Sequence, residues 1–138
     1  MSPKAKLKTT PRRSKLMAKV RRGNTSAELK VRQTLRELGV HYRLHAADLP
    51  GKPDIVHRRD RWAIFVNGCF WHFHQGCKRG SVPKRNREFW LEKLEKNRRR
   101  DWRNVSDLMA LGYSVLVVWE CETRDPSQLR RILQTFFS

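Results

Sequence analysis

Acidic residues are scarce in this chain of 138 residues. Thirteen aspartates and glutamates stand against 31 lysines and arginines, a formal net charge of +18, and the pI is about 11.1. No acidic small molecule needs a field of that size; a polyanion does. Nucleic acid is therefore the leading partner, because lysine and arginine gain affinity by releasing phosphate counterions. On charge alone a ribosomal or RNA-binding protein and a membrane-surface binder stay open. Long apolar runs are also lacking: none fits a signal peptide and none would span a membrane. The three cysteines, Cys69, Cys77 and Cys121, make an odd count and no disulfide framework. Reduced thiols in the cytosol, held on a metal, fit better. Length leaves room for one modest core and no second one, and there is no internal repeat.

What is present is unevenly spread. Residues 1–22 carry nine lysines or arginines and no acid. Residues 1–10 read as a basic, disordered and solvated tail. Over residues 11–22, Leu16, Met17 and Val20 add apolar spacing, which suits a short helix or an arm that orders on DNA.

The pattern from Thr25 onward predicts an αβββαβα order. "TSAELKVRQTLRELG" puts Ala27, Val31, Leu35 and Leu38 on one helical face and ends at Gly39. Thr25 with Glu28 is a capping-box pair. "VHYRLH" alternates as a first strand, a second begins at about Asp54, and "WAIFV" reads as a third strand buried on both faces. A long helix runs from about Glu88 to Leu111, and Leu91, Leu94, Arg98, Val105 and Leu108 track its period. Asn97 and Asp101 fall on or beside that stripe, and a carboxylate facing a core needs a partner. "YSVLVVW" is a strongly apolar fourth strand and "DPSQLRRILQTFF" a capped final helix. The class is α/β, a mixed sheet between helices.

Two stretches carry chemistry. In "FVNGCFWHFHQGC", Cys69, His74 and Cys77 have the ligand types and spacing of tetrahedral zinc, with Cys121 beyond the fourth strand as candidate fourth ligand. Buried cysteine acting as a small hydrophobe is the competing reading. His72 is then spare. In "LPGKPDIV", Pro53-Asp54 at a strand start is the opening half of the PD-(D/E)xK nuclease signature. The acid and lysine expected on the next strand are missing, since the chain there reads "FVNGCF". An active site of that standard type is excluded, and any nuclease chemistry needs another base.

"LPGKPDIV", "FVNGCFWHFHQGC", "REFWLEKLEKNRRRD" and "GYSVLVVWEC", in that order and spacing, resemble the very-short-patch-repair (Vsr) mismatch endonucleases from about Arg13 to Cys121. The resemblance implies a restriction-endonuclease-like fold, a structural zinc, and nicking of DNA beside T:G mismatches left by deaminated 5-methylcytosine. It gives Asp54 and the backbone carbonyl of Val66 to a catalytic Mg²⁺, makes His72 the general base, and makes Asp101 the acid that positions it. Glu28 matches an acid in the solvent network around that metal, with its capping-box role as the alternative. Cys69, His74, Cys77 and Cys121 match the zinc ligands. Phe70, Trp71 and Trp90 match rings that enter the duplex beside the mismatch, with core packing as the alternative for the two tryptophans. Met17 matches an apolar residue of an N-terminal arm that approaches from the other groove. A monomer in the prokaryotic cytoplasm is implied, associated with the nucleoid and linked functionally to a cytosine-5 DNA methyltransferase and to mismatch-repair proteins. Asn67 stands where histidine or aspartate is usual, and the zinc loop is one residue longer than in some members. A zinc-stapled DNA-binding module without catalysis, and a related nuclease acting on undamaged sites, are the competing functions.

Overall fold

The computed structural model describes residues 25–77 and 80–138. Residues 1–10, the arm at 11–22 and Met17 lie outside them. The described elements follow the expected order. Helix α1 (Ser26–Glu37) leads to strands β1 (Arg43–Leu44), β2 (Ile55–His57) and β3 (Trp62–Asn67). Helix α2 (Arg87–Ala110), strand β4 (Ser114–Trp119), a 3₁₀ turn (Glu120–Thr123) and helix α3 (Pro126–Phe137) complete it.

The strands form one sheet in the order β1-β2-β3-β4. The first three are antiparallel, and β4 runs parallel to β3 after the α2 crossover. Period-two alternation along β3 sends its side chains to opposite faces. Trp62 and Ile64 meet Val31, Leu35, Leu129 and Leu133 of α1 and α3. Ala63 and Phe65 meet Leu108 of α2, with Val105 packed alongside. The sheet is thus covered on both faces, as the unbroken apolar run in "WAIFV" requires.

Two strand expectations need correcting. The first strand, expected over residues 40–45, keeps only Arg43 and Leu44, both exposed. It pairs with the short β2, and His45 then turns to φ 50°, which ends the extended run. The fourth strand is less buried than its composition suggests: only Val118 is fully buried. Among the described residues β4 has a neighbour on one side alone, so its outer edge stays partly open. Helix ends were more legible. Thr25 caps α1 through a hydroxyl that accepts from the Glu28 N–H, and Gly39 takes the left-handed φ of 74° that stops the helix.

Candidate active site and metal centre

The register of the sheet builds the site. In the antiparallel pair Ile55 faces Ile64, so β2 stops before the last residues of β3 and leaves that edge of β3 open. Asp54, just before β2, fills the opening: Val66 N–H donates to Asp54 Oδ2 at 2.8 Å. The carboxylate replaces a strand as hydrogen-bond partner, and the Val66 backbone stands beside it. Burial pushes the Asp54 carboxyl up to about 6, and the Glu28 charge adds to that. The Val66 N–H and the nearby His45 and His72 pull the other way.

Glu28 comes from the first turn of α1 and is 1% exposed. A carboxylate so deep must be paired. The Arg32 guanidinium one turn later binds it, and His45 Nε2 lies 3.3 Å from both of its oxygens. Glu28, His45 and Asp54 present ligand atoms within 4.8 Å of one another.

Helix α2 supplies the next wall. Trp90, Leu94, Asn97, Asp101, Val105 and Leu108 recur at intervals of three or four and share one face. The C-terminal half of this stripe packs on the sheet. The middle holds the loop after β3: Asn97 Nδ2 donates to the Trp71 carbonyl at 3.1 Å. Asp101 Oδ2 lies 2.5 Å from His72 Nδ1, and its other oxygen lies 3.6 Å from Arg100. The half-buried carboxylate on the helix stripe has its partner, and that partner is the spare histidine. With Nδ1–H given to Asp101, His72 Nε2 is left to accept a proton.

Parallel pairing of β3 with β4 explains the second metal cluster. Asn67 stands opposite Trp119, and two residues further along each chain lie Cys69 and Cys121. Cys69, His74, Cys77 and Cys121 place one ligand atom each within 4.8 Å of the others. Cys121 Sγ is 3.6 Å from His74 Nδ1. A sulfur and an imidazole nitrogen bound tetrahedrally to one zinc at about 2.3 and 2.05 Å would stand roughly 3.6 Å apart. Burial holds the Cys69 and Cys121 thiols above their usual range, and the neighbouring Cys77 sulfur adds to it for both. A cation removes that penalty, so the residues fit the ion. Trp119 stacks on the His74 ring at 4.1 Å and fixes its plane. Gly80 closes the loop: a Cβ there would sit 2.1 Å from the His74 carbonyl oxygen.

Phe70, Trp71 and Trp90 meet edge to face, with ring centroids 5.1 to 6.0 Å apart. Phe70 and Trp71 are half-buried, whereas Trp90 is 3% exposed and also packs on Phe89. Lys93 Nζ lies over both tryptophans. Asn67 is buried at the end of β3. Sequence reasoning missed His45, Arg32, Lys93 and Gly80. A lone histidine just after a two-residue strand carries no spacing signal. Gly80 was open to inference, as a glycine close behind the ligand loop.

A family model described as DNA mismatch endonuclease Vsr matches residues 6–79. The chain is 48% identical to the type II nicking enzyme V.XorIIP of Xanthomonas oryzae pv. oryzae over 126 residues, 88% of this chain and 92% of that protein. It is 44% identical to the DNA mismatch endonuclease Vsr of Escherichia coli (strain K12) over 117 residues, 85% of this chain and 74% of that one. The type II nicking enzyme V.NmeAIP of Neisseria meningitidis is 42% identical over 125 residues. The chain belongs to the Vsr family of DNA mismatch endonucleases. It is an endonuclease, which removes the reading as a module without catalysis.

Proposed function

We propose that this chain is a Mg²⁺-dependent endonuclease that nicks one strand beside T:G mismatches left by deaminated 5-methylcytosine, on a restriction-endonuclease-like scaffold. The observation that carries the reading is the 2.5 Å contact of His72 with Asp101, beside a half-buried Asp54 whose ionisation His72 itself influences. Asp54 and the Val66 carbonyl would hold the cation, which when bound offsets the charge developing on the phosphate. His72 Nε2 takes a proton from the attacking water as its oxygen bonds to phosphorus. The bond to the leaving oxygen then breaks, and that oxygen takes a proton from solvent water. Asp101 holds the ring in the required tautomer and stabilises the imidazolium. Glu28 stands at the back of the site as an acidic member of the network around that cation.

Cys69, His74, Cys77 and Cys121 would hold a structural zinc, which stiffens the loop that carries His72, Phe70 and Trp71. Phe70 and Trp71 form the front of a wedge against one base step, with the buried Trp90 as the ring that supports them from behind. Unstacking a step costs a few kcal/mol, and least at a mismatch, which is one source of selectivity. The +18 charge supplies affinity for duplex DNA. The arm at 11–22, with Met17, would add contacts from the other groove. The setting is the bacterial nucleoid, with the enzyme acting as a monomer in step with a cytosine-5 methyltransferase and mismatch-repair proteins. No helix among the described residues is long and apolar enough to cross a membrane.

A labelled duplex with a single T:G pair and its T:A control, with Mg²⁺ or chelator, tests the reading. Nicking confined to the T:G duplex with Mg²⁺ is the expected result. Equal nicking of the T:A duplex would assign the chain to undamaged sites instead.

A further inference from the structure

We propose that His45 is a ligand of the catalytic cation, so that Glu28, His45 and Asp54 form a mixed carboxylate–imidazole site that favours Mn²⁺ over Mg²⁺. The inference rests on the reading of Asp54 as the cation's carboxylate and adds a nitrogen donor to it.

Three independent features place the ring there. First, β1 pairs Leu44 with Ile55, which sets His45 opposite Asp54, and His45 N–H donates to the Asp54 carbonyl at 2.9 Å. Second, His45 takes a left-handed φ of 50°, a conformation uncommon for residues other than glycine and one that persists where the surroundings hold it. Third, that turn brings Nε2 to 3.3 Å from both Glu28 oxygens, inside a set of donors within 4.8 Å of one another. Two ligands bound at about 2.1–2.2 Å and at right angles stand roughly 3 Å apart, and opposed ligands roughly 4.3 Å apart. The 3.3 Å between His45 Nε2 and the Glu28 oxygens falls within that span.

The chemistry decides which ion. Mg²⁺ binds oxygen and takes imidazole poorly, whereas affinity for nitrogen rises along the first transition row. A site of two carboxylates and one imidazole shifts preference toward Mn²⁺ while remaining open to Mg²⁺. His45 is 43% exposed at its side chain, so one side of the cluster faces solvent and an ion can enter.

The test titrates Mn²⁺ and Mg²⁺ into the full chain after one equivalent of zinc has filled the cysteine cluster. Bound Mn²⁺ is read by electron paramagnetic resonance and its nitrogen coupling by spin-echo modulation. His45→Asn keeps a residue that tolerates positive φ, and thermal melts check that it folds. We expect Mn²⁺ affinity to fall about tenfold or more, Mg²⁺ affinity to fall less than about threefold, and the nitrogen coupling to vanish. If His45→Asn keeps the parent affinity and coupling while Asp54→Ala loses the ion, His45 is no ligand and the function proposed above stands. If Asp54→Ala keeps the ion, both the nitrogen ligand and the role of Asp54 fall.

Discussion

Cys69, His74, Cys77 and Cys121 gather three sulfurs and a ring from one loop and the turn after β4, whereas Glu28, His45 and Asp54 gather two carboxylates and a ring from α1, the end of β1 and the approach to β2. The first cluster has four donors, the number that closes a tetrahedral zinc site. A closed site stabilises; it leaves no position for substrate. The second has three donors, two of them hard oxygens, and one partly exposed member. That suits an ion that must also meet a phosphate. Between the two clusters runs the loop that carries His72, so rigidity on one side and chemistry on the other share a single stretch of backbone.

If the comparison is right, damage to the two clusters should have opposite signatures. The largest effect belongs to the sulfur cluster. Cys121→Ser should cost more than about 4 kcal/mol of stability and remove about one zinc per chain together. Urea melts beside elemental analysis check this, and fully folded protein without zinc would break the comparison.

His72→Ala should lower the nicking rate by about 10²–10⁴, roughly 3–5 kcal/mol, with little change in melting. A rate equal to the parent's on T:G duplex would remove the base from the mechanism.

The ring cluster sharpens the border between the two regions. Trp90 is buried, so Trp90→Ala should cost about 3–5 kcal/mol of stability. Half-buried Trp71 should cost markedly less when replaced by alanine, and lose T:G preference over T:A. Thermal melts and nicking assays on both duplexes separate the two. Equal destabilisation with preference retained would assign both rings to the core.

The smallest effect has the opposite sign. Asp54 titrates at about 6 in the fold against an ordinary 3.8, chiefly through burial. A raised carboxyl pKa means that the folded state holds the proton more tightly. Its contribution is therefore fully present below pH 3.8 and is lost as pH rises through 6. Without added Mg²⁺ or Mn²⁺, Asp54→Asn should be more stable than the parent at pH 7, by up to about 3 kcal/mol. The gain should shrink toward zero on acidification from 6 to 3.8. A variant less stable than the parent at pH 7 would show that the charged carboxylate supports the fold.

Local pattern alone determined the two-faced β3, the stops of α1 and α2, and the metal-ligating residue types of the Cys/His loop. Helical period and capping act over a few residues, and three of the four Cys/His donors lie within nine residues of one another. The place of Asp101 on or beside the inward stripe of its helix was also legible, and so was its need for a partner. The tertiary structure decided which partner it has, because His72 precedes it by 29 residues. Cys121 reaches Cys69 only through the parallel register of β3 and β4. His45 reaches Glu28 only once α1 has docked on the sheet and β1 has shortened to two residues. Such contacts depend on register and on the docking of whole elements. No spacing along the chain encodes them, so the fold had to place the imidazole beside the two carboxylates.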